Sequence, residues 1–301
     1  MDLLTALRSF ARVAETGSFS AVSRETGVSQ PTVSRQIAEL ERHFRVRVLS
    51  RTTRSLSLTE DGRSLLAYAR DMIELLEAAE ATLGRTQAVP AGLVRIGTTT
   101  AFGLHLTAII GLLLERWSGL SIEVVMRDSF GDMVEEGLDL AIRVGEIGDS
   151  ALITRRLVDV ERILVASPPY LSDRASPLHP RDLAEHRCIA YTYGATRREW
   201  EFIPAQPPTG QDGIIVPATG RFRANNSEAV HRAAMEGLGL AVLPFFQVKA
   251  EILSGMLVRL MPDWRLRDLP LHLVYPGPRK LPLRTRAVMD FLIEMAPTLA
   301  C

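Results

Sequence analysis

Four side chains in the run Gln30-Pro31-Thr32-Val33-Ser34-Arg35 can pair with the edges of nucleic-acid bases. Gln and Arg match adenine and guanine bidentately in a major groove, and Thr and Ser reach a base or a phosphate oxygen. Further on, Arg51-Thr52-Thr53-Arg54 places two cations around two hydroxyls. That suits phosphate or minor-groove contact, whose strength falls steeply with salt. A third run, Thr98-Thr99-Thr100 after Gly97, combines hydroxyls with the expected start of a helix, whose free N–H groups can hold a small anion. Each run also has a plainer use, as a solvated helix face, a surface loop or a single capping threonine.

The elements that position the first two runs are legible. Leu3, Leu4, Leu7, Phe10, Ala11 and Ala14 recur at helical spacing up to Thr16-Gly17. Ser18 offers an N-cap to a second helix that contains Ala21, Val22 and Glu25 and stops at Gly27. Ser29 can cap a third, with Pro31 in its first turn and Val33, Ile37 and Leu40 on one buried face. Residues 46–49 and 55–58 then alternate like a small hairpin, with 51–54 at its tip. A basic hairpin tip beside such a helix is a wing. The charge distribution agrees: lysine plus arginine equal aspartate plus glutamate over the chain, 35 each, yet 1–58 holds nine arginines against five acids. A basic head on an acidic body is the asymmetry expected when only the head meets phosphates.

Thr59 is the expected cap of a long helix with Glu60 and Asp61 at its positive end. Leu65, Ala69, Met72, Leu76, Ala79 and Leu83 follow at alternating steps of four and three, an a/d seam that wants a partner helix or its own domain. Gly84 and 89–92 end the helix and form a linker.

From residue 93 strands and helices alternate: strands at 93–97, 122–127, 138–144, 163–167, 188–191, 240–243 and 271–275, helices at 104–117, 132–137, 227–236, 245–253 and 283–296. This is an α/β pattern. Besides the threonine run, Ser129 beside Asp128, Arg143 and Asn226 fall at strand ends or helix starts where a ligand could be met, although Arg143 could pair with Asp128 and Asn226 could simply cap a helix. Tyr191 and Tyr193 could add an aromatic surface. Gly237-Leu238-Gly239 leads into an apolar strand and is not a dinucleotide loop.

Several classes lose support. No apolar run approaches the roughly 20 residues needed to cross a bilayer, and Cys188 and Cys301 form no metal or disulfide pattern. No cofactor, metal or membrane partner is expected, and a cytoplasmic location fits. Serine-hydrolase, P-loop and zinc-protease motifs are missing, so no catalytic role is expected. The competing readings are a solute-binding or enzymatic α/β protein with an oligomerising N-terminus, and a redox sensor, against which Cys188 reads as a buried strand thiol.

The residues Phe19-Ser20-Ala21, Val28-Ser29-Gln30-Pro31-Thr32-Val33-Ser34-Arg35-Gln36-Ile37, Leu40-Glu41, Leu49-Ser50-Arg51, Leu58-Thr59 and Gly62 resemble the signature of LysR-type transcriptional regulators. That resemblance implies an N-terminal winged helix-turn-helix over 1–59, a dimerising linker helix over 60–90, and a two-lobed, periplasmic-binding-protein-like effector domain over 91–301. Its lobes would be 91–160 with 268–301, and 161–267, with crossings near 160–165 and 269–274. Gln30, Pro31, Thr32, Ser34 and Arg35 would meet operator DNA from the recognition helix, and Arg51 and Arg54 from the wing. A small, anionic effector would meet Thr98, Thr99, Thr100, Ser129, Arg143 and Asn226 between the lobes. The implied assembly is a homodimer or homotetramer, with RNA polymerase a further candidate partner.

Overall fold

The computed structural model describes residues 2–51, 56–82, 89–129, 131, 133, 136–145, 147, 152–192, 199–206, 213–277 and 281–300. The chain divides into two compact units, Met1–Ala88 with Lys280–Leu283, and Val89–Arg279 with Arg284–Cys301.

In the first unit, helix α1 (Leu3–Thr16) starts on the Asp2 carboxylate, which accepts the N–H groups of Leu4 and Thr5, and stops at Gly17 with φ 64°. Helix α2 (Phe19–Thr26) starts on Ser18, whose hydroxyl accepts the Ala21 N–H at 3.2 Å, and stops at Gly27. Helix α3 (Gln30–Phe44) carries Pro31 in its first turn. Ser29 departs from its expected role: its hydroxyl bonds the Thr32 hydroxyl at 2.8 Å and caps no backbone N–H. Leu7, Phe10, Val13, Val22, Val33, Ile37 and Leu40 close one core between the three helices. Each fully buried side chain of this size contributes roughly 1.5–3 kcal/mol.

Strands β1 (Leu49–Arg51) and β2 (Leu56–Leu58) pair antiparallel with Leu49 opposite Leu58. Helix α4 (Glu60–Thr82) follows, with the Thr59 hydroxyl accepting the Gly62 N–H at 2.9 Å. A Cβ at position 62 would lie 2.0 Å from the Val48 carbonyl oxygen, so only glycine lets α4 sit this close to the hairpin.

The second unit contains two five-stranded sheets and a three-stranded one. The first lobe is built on β3 (Gly92–Thr98), α5 (Thr100–Arg116), β4 (Leu120–Met126), β5 (Leu140–Val144) and β6 (Ile153–Val160). The second has β7 (Arg162–Ala166), α6 (Pro168–Leu171), β8 (Cys188–Tyr191), β9 (Glu199–Pro204), β10 (Ile214–Pro217), β11 (Arg223–Ala224), α7 (Ser227–Met235), β12 (Leu240–Pro244), α8 (Phe245–Leu253), β13 (Val258–Leu260) and β14 (Trp264–Leu266). Strand β15 (Leu269–Tyr275), α9 (Leu283–Glu294) and α10 (Ala296–Leu299) return to the first lobe.

The first sheet runs β4-β3-β5-β15-β6 and the second β11-β8-β12-β7-β13, each with three parallel strands joined to two antiparallel ones. The chain therefore changes sheet at Glu161, and again at 267–268 before β15, which lies wholly in the first sheet. The second crossing is thus slightly earlier than the expected 269–274. The crossings are bonded to each other, since Arg162 Nε donates to the Arg267 carbonyl at 2.7 Å.

Three expectations shift. The helix of 104–117 begins at Thr100, and β6, β9, β10, β11, β13 and β14 add strands that were not expected. In the helix expected over 132–137, Asp132, Val134 and Glu135 lie outside the described residues, while Met133, Glu136 and Gly137 sit in turns.

Candidate functional site

On α3, Gln30, Pro31 and Arg35 are exposed and Thr32 and Ser34 half-buried. Gln30 with Ser34, and Pro31 with Arg35, are four apart, so they share the edge opposite buried Val33, Ile37 and Leu40. This edge is held firmly from behind. Ser9, buried on α1, donates to Gln36 Oε1 at 2.7 Å, and Arg12 reaches Glu15 at 2.6 Å and Glu25 at 2.7 Å. The bond to Glu25 is the main reason the Arg12 guanidinium holds its proton more tightly than usual. Arg70 on α4 reaches Glu15 at 3.4 Å, so α1, α2 and α4 share one ionic cluster. Of the wing residues, Arg51 belongs to β1, while Arg54 lies outside the described residues.

The residues of the expected α4 seam differ in burial. Leu65 and Ala69 are buried in the core of their own unit. Met72 is 48% exposed, Ala79 is exposed and Leu76 half-buried, and Leu83 lies outside the described residues. Tyr68 and Leu75, 63% and 69% exposed, join Met72 and Ala79 in a stripe at steps of four, three and four.

In the second unit, the N-terminus of α5 is already occupied. Asp128, just past β4, accepts the Thr100 N–H at 3.2 Å and the Thr100 hydroxyl at 3.1 Å, while Thr99 makes no side-chain cap. A carboxylate of the protein thus takes the place proposed for a ligand's anion. Asn226, the N-cap of α7 in the second lobe, accepts the Ala229 N–H at 2.8 Å through Oδ1 and donates through Nδ2 to Asp128 Oδ2 and, at 3.3 Å, to the Thr100 hydroxyl. One amide therefore caps a helix in its own lobe and bridges to the other. The rings of Phe102 and His105 on α5 also meet Phe246 on α8, at 5.6 and 4.6 Å, and burial lowers the pKa of His105.

Beside this bridge is a cavity of about 180 Å3, with Thr99, Asp128 and Leu269 on the first-lobe side and Tyr191, Trp200 and Phe246 on the other. Arg162, at the crossing, also lines it. Burial lowers the pKa of its guanidinium, partly offset by the charge of Asp268, and among the described residues it forms no ion pair. Among the expected effector residues, Thr99 lines this cavity, and Thr100 and Asn226 bond to its Asp128. Thr98 is buried and its hydroxyl has no hydrogen-bond partner among the described residues, Ser129 is exposed, and Arg143 lies opposite His272 across β5 and β15; none of the three is in the lining. Tyr193 lies outside the described residues.

The model for the bacterial regulatory helix-turn-helix protein of the lysR family matches residues 4–63, and that for the LysR substrate binding domain matches residues 87–297. The chain belongs to the LysR family of bacterial transcriptional regulators. It is 35% identical over 292 residues to the HTH-type transcriptional regulator PtxR of Pseudomonas aeruginosa, covering 97% of this chain and 92% of that protein. It is 32% identical to the HTH-type transcriptional activator AaeR of Escherichia coli, covering 98% and 94%. Among solved structures, full-length CrgA of Neisseria meningitidis superposes with a TM-score of 0.62 at 30% identity, over 97% of this chain and 98% of that one. This LysR-family chain is therefore a DNA-binding transcriptional regulator with an effector-binding domain. No described helix is long and apolar enough to cross a membrane.

The family resemblance put Asp128, with Ser129, at a strand end that effectors meet, and sequence reasoning passed over Arg162, Trp200 and Phe246. A carboxylate beside a hydroxyl-rich helix start was the available signal for Asp128; Arg162 had none, because sheet pairing alone brings it to the cavity. Cys188 is buried, and burial raises its thiol pKa to about 11, which leaves almost no thiolate near neutral pH and removes the redox-sensor alternative for that residue.

Proposed function

We propose that this LysR-family regulator binds operator DNA through Gln30, Pro31, Thr32, Ser34 and Arg35 on α3 and Arg51 and Arg54 on the wing, and that a small organic anion between the lobes controls it. The reading divides the chain into a head over 1–59, a linker helix over 60–90 and an effector domain over 91–301, with lobes 91–160 plus 268–301 and 161–267. Heads paired through α4 in a homodimer or homotetramer would match two half-sites a helical turn or a multiple apart. RNA polymerase is the further partner, the cytoplasm the location, and no catalytic step is assigned.

The observation that carries the effector reading is the cavity with Arg162 in its wall, beside the Asn226–Asp128 bridge. The guanidinium supplies the anion's counter-charge, the aromatic walls hold an organic body, and Thr99 offers a hydroxyl, while Thr100 holds Asp128 in the wall. Thr98, Ser129 and Arg143, also expected to meet the effector, lie outside the lining of this cavity. A ligand regulates only if it favours one lobe arrangement, and coupling of about 1–3 kcal/mol changes DNA affinity 5- to 150-fold. The test is a thermal-shift screen of small organic carboxylates beside their amides, followed by DNA binding with each hit. Carboxylates should stabilise wild type and not Arg162→Met, and Thr99→Val/Thr100→Val should lose the response while keeping basal DNA binding. A wild-type response in both variants would remove this cavity from sensing.

A further inference from the structure

Around the end of α3 lies a basic surface that the recognition helix and the wing do not account for. Arg42, Arg45 and Arg47 are all exposed and line one surface hollow of about 670 Å3, floored by Ile37 and Leu49 and edged by Ser50. Among the described residues, none of the three side chains makes a hydrogen bond or an ion pair. The acid in the same hollow, Glu41, is engaged elsewhere: its Oε1 accepts the N–H groups of Val48 at 3.0 Å and Leu49 at 3.4 Å. The hollow thus gathers three cations around a single carboxylate that is held by backbone N–H groups, which leaves an excess of positive charge.

Arg45 adds a second, independent observation. It stands at the C-cap of α3 with φ 57° and ψ 34°, one of two described non-glycine residues with positive φ. An L side chain in this region is strained, and glycine would adopt the same backbone without that penalty. The chain nevertheless presents an arginine there, its head group in solvent beside two others.

Position on the helix indicates the partner. Arg42 lies seven residues beyond Arg35, two turns along the same face, roughly 10.5 Å at 1.5 Å per residue. A major groove is about 12 Å wide. With Arg35 at the base edges, Arg42 therefore comes level with the phosphates at the groove's flank, and Arg45 and Arg47, which follow the end of α3, line the same hollow as Arg42. Glu39, on the same face between them and half-buried, is the one acid along this path. We propose that Arg42, Arg45 and Arg47 form a phosphate clamp for the duplex backbone, extending the DNA interface past the recognition helix. The proposal rests on α3 entering the major groove as read above.

The test uses the full-length protein and two probes, its own upstream region and an unrelated duplex of equal length, with affinity followed from 50 to 200 mM salt. Each phosphate contact removed should lower the slope of log K against log salt by about 0.9. Arg42→Gln, Arg45→Gly and Arg47→Gln together should weaken both probes alike by at least tenfold at low salt and flatten the slope by 2 or more. Arg45→Gly alone should raise the head's unfolding temperature while weakening DNA binding, an opposition that damage to the fold cannot produce. Arg45→Lys, which keeps charge and strain, should keep most of the slope. Wild-type affinity and slope in a folded triple variant would overturn the clamp. If that variant also lost transcription by purified polymerase, the patch would be serving an acidic protein surface instead. A flattened slope in the triple variant, with Arg35→Ala leaving the preference for the upstream region unchanged, would refute the groove reading rather than the phosphate contacts.

Discussion

The Asn226–Asp128 bridge makes a quantitative prediction about how the lobes are held. Asp128 offers one carboxylate to three donors: the Thr100 N–H, the Thr100 hydroxyl and the Asn226 amide. Asp128→Ala removes all three acceptor contacts. Losing a helix cap costs about 1 kcal/mol, and a hydrogen bond to a charged group about 1.5–3 kcal/mol. Discounted for partial exposure, the sum should be about 3 kcal/mol of stability in the effector domain. Asn226→Ala loses the bridge together with its own cap on α7 and should cost about 2 kcal/mol. The two deletions share the bridge, so the double variant should be less unstable than the sum, with a coupling of about 1.5 kcal/mol. Urea unfolding of wild type, both single variants and the double variant, read by tryptophan fluorescence, supplies the cycle. The caps cancel within it, so only the bridge remains. Strict additivity, within about 0.3 kcal/mol, would mean that the Asn226–Asp128 bond does not form in solution.

The phase of the α4 stripe separates packing from assembly. Leu65→Ala should leave a cavity in the head's own core and cost about 2–5 kcal/mol without changing oligomeric state, whereas Met72→Glu should leave the head stable and yield monomers by sedimentation; an intact Met72→Glu dimer would move the interface elsewhere. Cys188, with a pKa near 11 set by burial, should resist alkylation at pH 8 on a scale of hours and react at once in denaturant; rapid labelling of the folded chain would contradict that burial.

How much could be read in advance depended on where the determining partner sits. The helices of the head were legible because their stops are local: Gly17 and Gly27 adopt left-handed φ beside the helices they end, and Ser18 caps α2 from the adjacent position. Helix α5 was placed four residues late because its cap is Asp128, remote in sequence. Strand β6 was missed because it is an edge strand, with Arg155 and Arg156 exposed, and such a strand need not alternate. On α4 the apolar repeat was real, but Leu65 and Ala69 serve the core of the head while Met72 faces out, and spacing alone does not say which neighbour a repeat faces. The cleft is the extreme case. Its walls come from strands and helices of both lobes, and Asn226 meets Asp128 across 98 positions. The same remoteness bears on function. Lobes held by a few polar and aromatic contacts between distant segments, around two bonded crossings, can part without unfolding either sheet. A ligand therefore needs to outweigh only those contacts to move the equilibrium, which is the scale of coupling a regulator uses.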